Sequence, residues 1–406
     1  MTEDQDSIHL LEFSVENYRS IREPITLSLF STALHDKKHD FSISTNKRKV
    51  LNSLVLYGAN ASGKSNLLRA LFVYKHAVTG SRSLFRNEKI DPFLLDESSK
   101  TRDTTFEACF EYENRTFIYG FKLSTKNSTV SKEWLRVTRK NSTSLLTIFE
   151  RDNDQIEVSR NLPLSAHGIS RGYSKLVQSQ ELFITTISRN SAWSLAKDVV
   201  NAWENCFVFN TLVHDPLQPV AETIYNSDEA KDLLLPLLQQ ADLSITDIRV
   251  TKSESDEYKI KLQHTYTNKN SVKSVWFDIQ QQESAGTLKF FSFALPLLMS
   301  LRGGTLMVLD ELGSTLHPDL LKFIVSLFNS SSSNKKHAQL ILTTHDTSLL
   351  KGLLARDQIY FTRKNAHQST ELYPLSDIKG IKKGIRDLDE RYLGGDFGAV
   401  PEIIRG

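Results

Sequence analysis

The feature that most constrains this fold is a glycine-rich segment, GANASGKS, at residues 58–65. It follows a short apolar stretch, LNSLVLYG, and precedes SNLLRALFVYKHAV, in which leucine and phenylalanine recur at helical spacing. A strand, a glycine loop and a helix in this order match the pattern GxxxxGK[ST], in which loop N–H groups and the positive end of the helix surround a phosphate. The sequence therefore predicts an α/β fold with a phosphate-binding loop.

The loop residues are the first candidates for a nucleotide site. We expect Lys64 to reach the β- and γ-phosphates of ATP and the Ser65 hydroxyl to bind Mg²⁺. The other loop residues that we expect to bind nucleotide are Gly58, Asn60, Ala61, Ser62 and Gly63.

Two further apolar stretches end in residues suited to phosphate chemistry. TLMVLDE, at residues 305–311, ends in Asp310, which we expect to hold Mg²⁺, and Glu311, a candidate general base for an attacking water. AQLILTTH, at residues 338–345, ends in His345, which follows Glu311 at the distance of one helical crossover and could hydrogen-bond the γ-phosphate. The alternative for Asp310 and Glu311 is that they only mark the end of a strand before a turn. The alternative for His345 is an ordinary surface histidine.

A serine in the segment ESAGT, at residues 283–287, precedes a predicted helix. Ser284 is well placed as the N-cap of that helix. It also allows a second interpretation, in which Ser284, Gly286 and the start of the helix bind the γ-phosphate of a nucleotide held by another copy of the chain.

Composition limits the class of protein. Lys plus Arg number 50 and Asp plus Glu 48, a balance that does not by itself indicate nucleic-acid binding. A local basic groove that binds nucleic acid remains an alternative. Its candidate residues form two groups: Arg136, Arg139 and Lys140, and Lys379, Lys382, Lys383 and Arg386.

Other sequence features indicate a cytoplasmic protein. Cys109 and Cys206 lie far apart without a CxxC pattern, so neither a disulfide framework nor a zinc site is expected. The acidic N-terminus does not match a signal peptide. The longest apolar run, at residues 290–301, is too short to span a bilayer and contains Pro296, so we expect no membrane association.

The periodicity of the chain predicts its organisation. Period-two alternation over residues 104–160 predicts a meander with a hairpin turn at Glu113 and Asn114, and residues 175–243 have helical character. We expect residues 1–90 and 280–375 to contribute to one sheet. The predicted parts are an N-terminal part of the head with the phosphate loop (1–95), a β-rich meander (96–170), a helical insertion lobe (171–243) and a C-terminal part of the head (244–406).

With these residues collected, the chain resembles the ABC/SMC-like ATPases. Residues 58–65 followed by Asn66 are similar to their Walker A motif, residues 306–311 to Walker B with its catalytic glutamate, and His345 to their switch histidine. Residues 283–287 resemble a degenerate signature motif, and residues 314–318 the D-loop of the OLD-like branch. The resemblance implies an ABC-type ATPase head with a split sheet, in which the signature of one head completes the site of its partner.

The likeness has further implications and two departures. Phe13 and the segment NYRSI, at residues 17–21, resemble the opening strand of SMC-like and RecF-like heads, which implies that Arg19 reaches the nucleotide. The signature segment lacks the leucine with which this motif usually begins. The Q-loop glutamine has no assigned position among Gln155, Gln178 and Gln180.

The tail at residues 358–401 resembles AAA-domain proteins of the RloA and AbiL type, which are encoded in phage-defence loci; AriA of PARIS and PtuA of Septu are relatives. The likeness to the ABC/SMC-like ATPases implies an ATPase that acts as a homodimer or higher homo-oligomer, and we expect slow turnover if the ATP-bound dimer is the signal to a partner. The segment after His345 has no room for a nuclease domain, so we expect a separately encoded effector. The alternatives are a RecF-like, DNA-binding repair ATPase and a scaffold that binds ATP without turnover.

Overall fold

The computed structural model confirms the predicted α/β class, with one mixed sheet at the centre and antiparallel sheets beside it. The residues that the structure describes are 7–32, 42–45, 48–80, 90–139, 143–159, 177–190, 193–209, 217–242, 244–269, 271–312, 316–381 and 387–400.

The central element is a six-stranded sheet, called the core sheet below. Its first five strands are parallel, and the sixth pairs antiparallel with the fifth. In spatial order the strands are β11 (Phe207–Val208), β15 (Leu306–Leu309), β16 (Gln339–Thr343), β5 (Ser53–Gly58), β17 (Ile359–Lys364) and β18 (Thr370–Pro374). The strands β5, β15 and β16 are buried throughout, which explains why they read as continuous apolar runs.

A seven-stranded antiparallel sheet covers one side of the molecule. In spatial order it contains β10 (Gln155–Val158), β9 (Leu145–Asp152), β8 (Val130–Thr138), β7 (Arg115–Leu123), β6 (Thr104–Tyr112), β1 (His9–Glu16) and β2 (Ile25–Ser28). The predicted hairpin turn is confirmed, since Glu113 and Asn114 join β6 to β7 with φ of 48° and 58°. Two consecutive positive φ values are what the tight turn of a twisted hairpin requires.

One expectation about the sheets is wrong. Strands β1 and β2 do not join the core sheet; β1 pairs with β6, and Phe13 lies opposite Ala108. The physical reason is visible in β1, whose burial alternates along the strand, as suits a sheet with one face on the core. Strand β5, with its continuous burial, does join the strands at 306–309 and 339–343 as expected.

The described residues also form two smaller antiparallel sheets. They are formed by β12 (Ile245–Lys252), β13 (Tyr258–Asn268) and β14 (Ser271–Asp278), and by β3 (Ser42–Thr45) and β4 (Arg48–Leu51).

The helices of the described residues lie on both sides of the core sheet. They are α1 (Lys64–Val78), α2 (Phe183–Asn190), α3 (Ser194–Glu204), α4 (Leu217–Asn226), α5 (Asp228–Ala241), α6 (Ala285–Gly303), α7 (Pro318–Asn329) and α8 (Leu388–Leu393). Helix α7 begins with a proline at its first position and is capped by His317, whose ring accepts from the Asp319 N–H. In the described part of the chain, no helix combines the length and apolarity needed to cross a membrane.

The core sheet separates two apolar cores, because successive side chains of a strand point to opposite faces. Leu54 and Leu56 of β5 face the core that contains α1, α3 and the seven-stranded sheet. Val55 and Tyr57 face the second core, which contains α4 to α7. The division of the chain into four parts stays a prediction, but this layering explains why the phosphate-loop strand is buried on both faces.

A buried ion pair ties the seven-stranded sheet to α2. The Glu133 carboxylate accepts from the N–H groups of Phe183 and Ile184 at 2.7 and 2.9 Å and from the Tyr119 hydroxyl at 3.0 Å. The Arg151 guanidinium lies 3.6 Å away, and both charged side chains are fully buried. The carboxylate therefore serves as acceptor for the first N–H groups of a helix, where negative charge is favoured.

We predict that Glu133→Ala lowers the free energy of unfolding by about 3–5 kcal/mol, because it leaves the Arg151 charge buried without the carboxylate that neutralises it. The matched control is Glu150→Ala, which removes an exposed ion pair with Arg136 at 3.8 Å and should cost less than about 1 kcal/mol. Urea unfolding of the nucleotide-free protein, followed by circular dichroism, measures both. Equal losses for the two variants would contradict the prediction.

Candidate functional site

The phosphate loop lies between β5 and α1, in a conformation that its glycines permit. Gly58 and Gly63 have φ of 156° and 113°, and Ala61 between them has φ of 62°. A Cβ at Gly63 would overlap the Thr370 side chain, and one at Gly58 would overlap Thr362. The loop therefore requires glycine at these two positions for conformation and for space.

Lys64 is the first residue of α1, and its side chain folds back over the loop. Its ammonium donates to the carbonyl oxygens of Gly58 and Ala59 at 2.7 and 3.0 Å. Burial lowers the pKa of Lys64 to about 8, while the carboxylates of Asp310 and Glu311 oppose that shift. Both acids therefore lie within electrostatic range of the phosphate loop.

Asp310 and Glu311 follow the end of β15. Asp310 is buried, and its Oδ1 accepts from the Thr343 hydroxyl at 2.6 Å. Glu311 is exposed and has φ of 54°, in the left-handed region. Its N–H donates to the same Thr343 oxygen at 2.7 Å. The two acids thus point to different environments, one buried beside a hydroxyl and one open to solvent.

His345 lies two residues beyond the end of β16, with an exposed side chain. Partial desolvation and the nearby Lys64 ammonium lower its pKa, while Glu311 and Asp310 act in the opposite direction. The imidazole is therefore neutral near pH 7 and offers a hydrogen-bond donor without a charge. The structure brings His345, Lys64 and the two acids to one edge of the core sheet.

The residues assigned to Mg²⁺ supply oxygen atoms. Ser65 is exposed in the first turn of α1. Asp310 directly follows β15, which is separated from β5 by β16 in the core sheet. A hydroxyl and a carboxylate are the donors that Mg²⁺ takes from proteins when phosphates and waters supply the rest. This donor set fits the predicted ion.

Ser284 is the N-cap of α6, as predicted. Its Oγ accepts from the Thr287 N–H at 3.0 Å, and the residue is exposed, with Gly286 half-buried in the first turn. The preceding Glu283 is anchored by His264, whose Nε2 lies 2.6 Å from the carboxylate. The start of α6 is therefore held firmly while its serine faces solvent; binding to a second copy stays a prediction.

Arg19 lies in a turn that touches the phosphate-loop helix. It has φ of 50°, and its guanidinium lies 3.7 Å from Asp91. The next residue, Ser20, accepts from the Asn66 amide at 2.7 Å and lies 2.9 Å from the Thr370 hydroxyl. Asn66 thus holds the turn that carries Arg19, and the predicted contact of either residue with nucleotide is untested.

Three threonines complete this site, and the sequence interpretation did not identify them. Thr362 Oγ1 lies 2.6 Å from the Ser62 hydroxyl, and Thr370 donates to the Ser62 carbonyl at 2.9 Å. Thr343 binds the acids as described. Each stands in or at the end of a core-sheet strand, and the paired threonines before His345 in ILTTH are the one signal that could have pointed to this role.

The remaining candidates lie elsewhere or outside the described residues. Arg136 is paired with Glu150 on the seven-stranded sheet. Gln155 lies on β10, at the edge of that sheet, and the Gln180 amide lies 3.5 Å from the Asn127 carbonyl. The candidates that fall outside the described residues are Ser314, Thr315, Lys140, Lys382, Lys383 and Arg386.

Comparison with known proteins places these residues within a family. The family described as "AAA domain, putative AbiEii toxin, Type IV TA system" matches residues 53–351, more than half of the chain. No match was found among curated proteins. A solved structure described as "Crystal structure of the SmcHead bound to the C-winged helix domain of ScpA" is similar over 90% of this chain and 97% of that chain, with 11% sequence identity and a TM-score of 0.42.

We predict that nucleotide binding weakens as the pH rises through about 8, the pKa to which burial lowers Lys64. The charged ammonium is the form that attracts phosphate, so the dissociation constant should rise about tenfold per pH unit above this value. Titration with a fluorescent ATP analogue between about pH 7 and pH 10 tests this. Lys64→Arg is the control, because arginine keeps its charge throughout; equal pH profiles for the two proteins would contradict the prediction.

Proposed function

The chain belongs to the family described as "AAA domain, putative AbiEii toxin, Type IV TA system", and from this premise we propose that it binds Mg-ATP and hydrolyses it slowly between two copies of an ABC-type head. The observation that carries the proposal is that the phosphate loop, the two acids Asp310 and Glu311, and His345 each follow the carboxyl end of a parallel strand, at one edge of the core sheet. Phosphoryl transfer needs mainly positioning and charge, and these residues supply both.

Each side chain has a role that its surroundings support. Lys64 and the loop N–H groups bind the phosphates, and Asp310 with Ser65 holds Mg²⁺. Glu311, exposed beside the loop, takes a proton from water as general base. The neutral imidazole of His345 donates a hydrogen bond to the γ-phosphate, where it responds to hydrolysis without adding charge.

In the same proposal, the exposed start of α6 from one copy completes the site of the other. Ser284 and the N-terminal end of α6 form a region that attracts anions. The burial of Glu283 beside His264 supports this role, because it gives the start of α6 a rigid attachment. ATP would then join two heads, and its hydrolysis would release them.

We further propose that this cycle controls a separately encoded effector in the cytoplasm. The protein would then act in bacterial defence against phage, like the AAA-domain proteins of the RloA and AbiL type. Two observations support this role: the resemblance of the tail at residues 358–401, and the family description, which refers to a toxin of a toxin–antitoxin system. We do not favour the RecF-like alternative, since the matching family description refers to a toxin–antitoxin system and not to DNA repair.

We predict that Glu311→Gln traps an ATP-bound dimer, because it removes the base while leaving the binding residues in place. Light scattering with and without Mg-ATP should show the mass of this variant doubling on addition of nucleotide. The same variant with Lys64→Ala or Ser284→Ala in addition should keep its original mass.

The two added substitutions separate the halves of the composite site. If only Lys64→Ala abolishes the ATP-dependent mass change, nucleotide joins the copies without the start of α6. A mass that is already multimeric without ATP would mean that assembly depends on another surface. A monomer under every condition would remove the dimeric mechanism and favour a scaffold that binds ATP alone.

A further inference from the structure

The backbone of Glu311 is strained, and the Thr343 side chain contacts it directly. With φ of 54°, the residue lies in the left-handed region, which costs free energy for any residue other than glycine. Such conformations persist when surrounding contacts compensate for them, and they concentrate at functional sites. Here the Glu311 N–H donates to the Thr343 hydroxyl oxygen at 2.7 Å. The conformation of the proposed base thus depends on a threonine from the neighbouring strand.

The same hydroxyl also holds Asp310. Its oxygen already accepts from an N–H group, so its own hydrogen is free to point to Asp310 Oδ1, 2.6 Å away. The directions of both bonds are fixed, since the N–H can only donate and the carboxylate can only accept. One Asp310 oxygen thereby accepts from Thr343, and this bond restrains the orientation of the carboxylate.

Burial makes this arrangement hard to replace. Thr343 is 1% exposed and Asp310 is 6% exposed, so water has little access to either group. Removal of the hydroxyl would leave a buried carboxylate oxygen and an N–H group without their shared partner. Threonine also suits the position sterically, because its branched Cβ restricts the side chain to few rotamers.

The position of Thr343 links the acids to the histidine. Strand β16 lies between β15 and β5, and its end pairs in register with both, Leu342 opposite Leu309 and Thr343 opposite Leu56. Thr344, the next residue, is fixed by its N–H bond to the Leu56 carbonyl at 3.2 Å. His345 follows directly. Only Thr344 therefore separates His345 in the chain from the residue whose hydroxyl contacts Asp310 and the Glu311 N–H.

We propose that Thr343 is a positioning residue: its hydroxyl sets the backbone of Glu311 and the orientation of Asp310 together, and connects both to the γ-phosphate contact at His345. The inference rests on the proposed ATPase function. It goes beyond that function by assigning the geometry of both acids to the Thr343 side chain.

The test compares two variants. Thr343→Val keeps the shape of the side chain but removes the hydroxyl, and it should lower kcat by at least about tenfold with KM for ATP changed by less than about threefold. Thr343→Ser keeps the hydroxyl and should retain kcat within about threefold of the original protein. A matched control is Thr305→Val, which alters another buried threonine at the opposite end of β15 and should leave kcat unchanged.

A second readout does not require hydrolysis. Binding of Mn²⁺, a paramagnetic substitute for Mg²⁺, to the protein with ADP should weaken in Thr343→Val, because Asp310 loses the bond that orients it. Thr343→Ser should bind the ion as the original protein does. If the valine variant does not fold by circular dichroism, Thr343→Ala is measured in its place.

The outcomes separate this inference from the function on which it rests. Absence of hydrolysis in the original protein would overturn the proposed function, and the Mn²⁺ titration would still decide the role of Thr343. Normal kcat and normal Mn²⁺ affinity in Thr343→Val would overturn the inference. A serine variant as impaired as the valine variant would also overturn it, since the hydroxyl would then not be the group that matters.

Discussion

The parallel pairing of β16 with β15 on one side and with β5 on the other is the constraint on which the rest of the structure depends. Parallel strands end at the same edge of a sheet, so this pairing brings the residues after β5, β15 and β16 together. The phosphate loop, the two acids and His345 come from segments far apart in the chain. They meet only because three apolar strands align with their carboxyl ends at one edge.

The local parts of this arrangement could be predicted from the sequence, because each has its own pattern. Strand β5 and helix α1 change from continuous apolar character to helical periodicity at the glycine loop. The pairing partners of a strand cannot be predicted from such a local pattern. Strand β1 alternates clearly, but alternation shows only that one face is buried; it does not show that Phe13 lies opposite Ala108 rather than beside the core sheet.

The residues of the candidate site likewise fall into those that the sequence identifies and those that only the structure reveals. Lys64, Asp310, Glu311 and His345 could be recognised because each stands at a fixed place relative to an apolar strand and belongs to a residue type with few other uses there. The three threonines could not. Threonine is common in strands for its shape alone, and a role for its hydroxyl appears only when the register of neighbouring strands is known.

The charges of the site indicate how its parts depend on one another. Lys64 is buried enough for its pKa to fall to about 8, although two carboxylates stabilise its charge. The same carboxylates would repel a polyphosphate that approached without a cation. A divalent cation held by Asp310 would offset that repulsion. In the proposed function, the orientation of Asp310 by the Thr343 hydroxyl would then bear on how the ion is held.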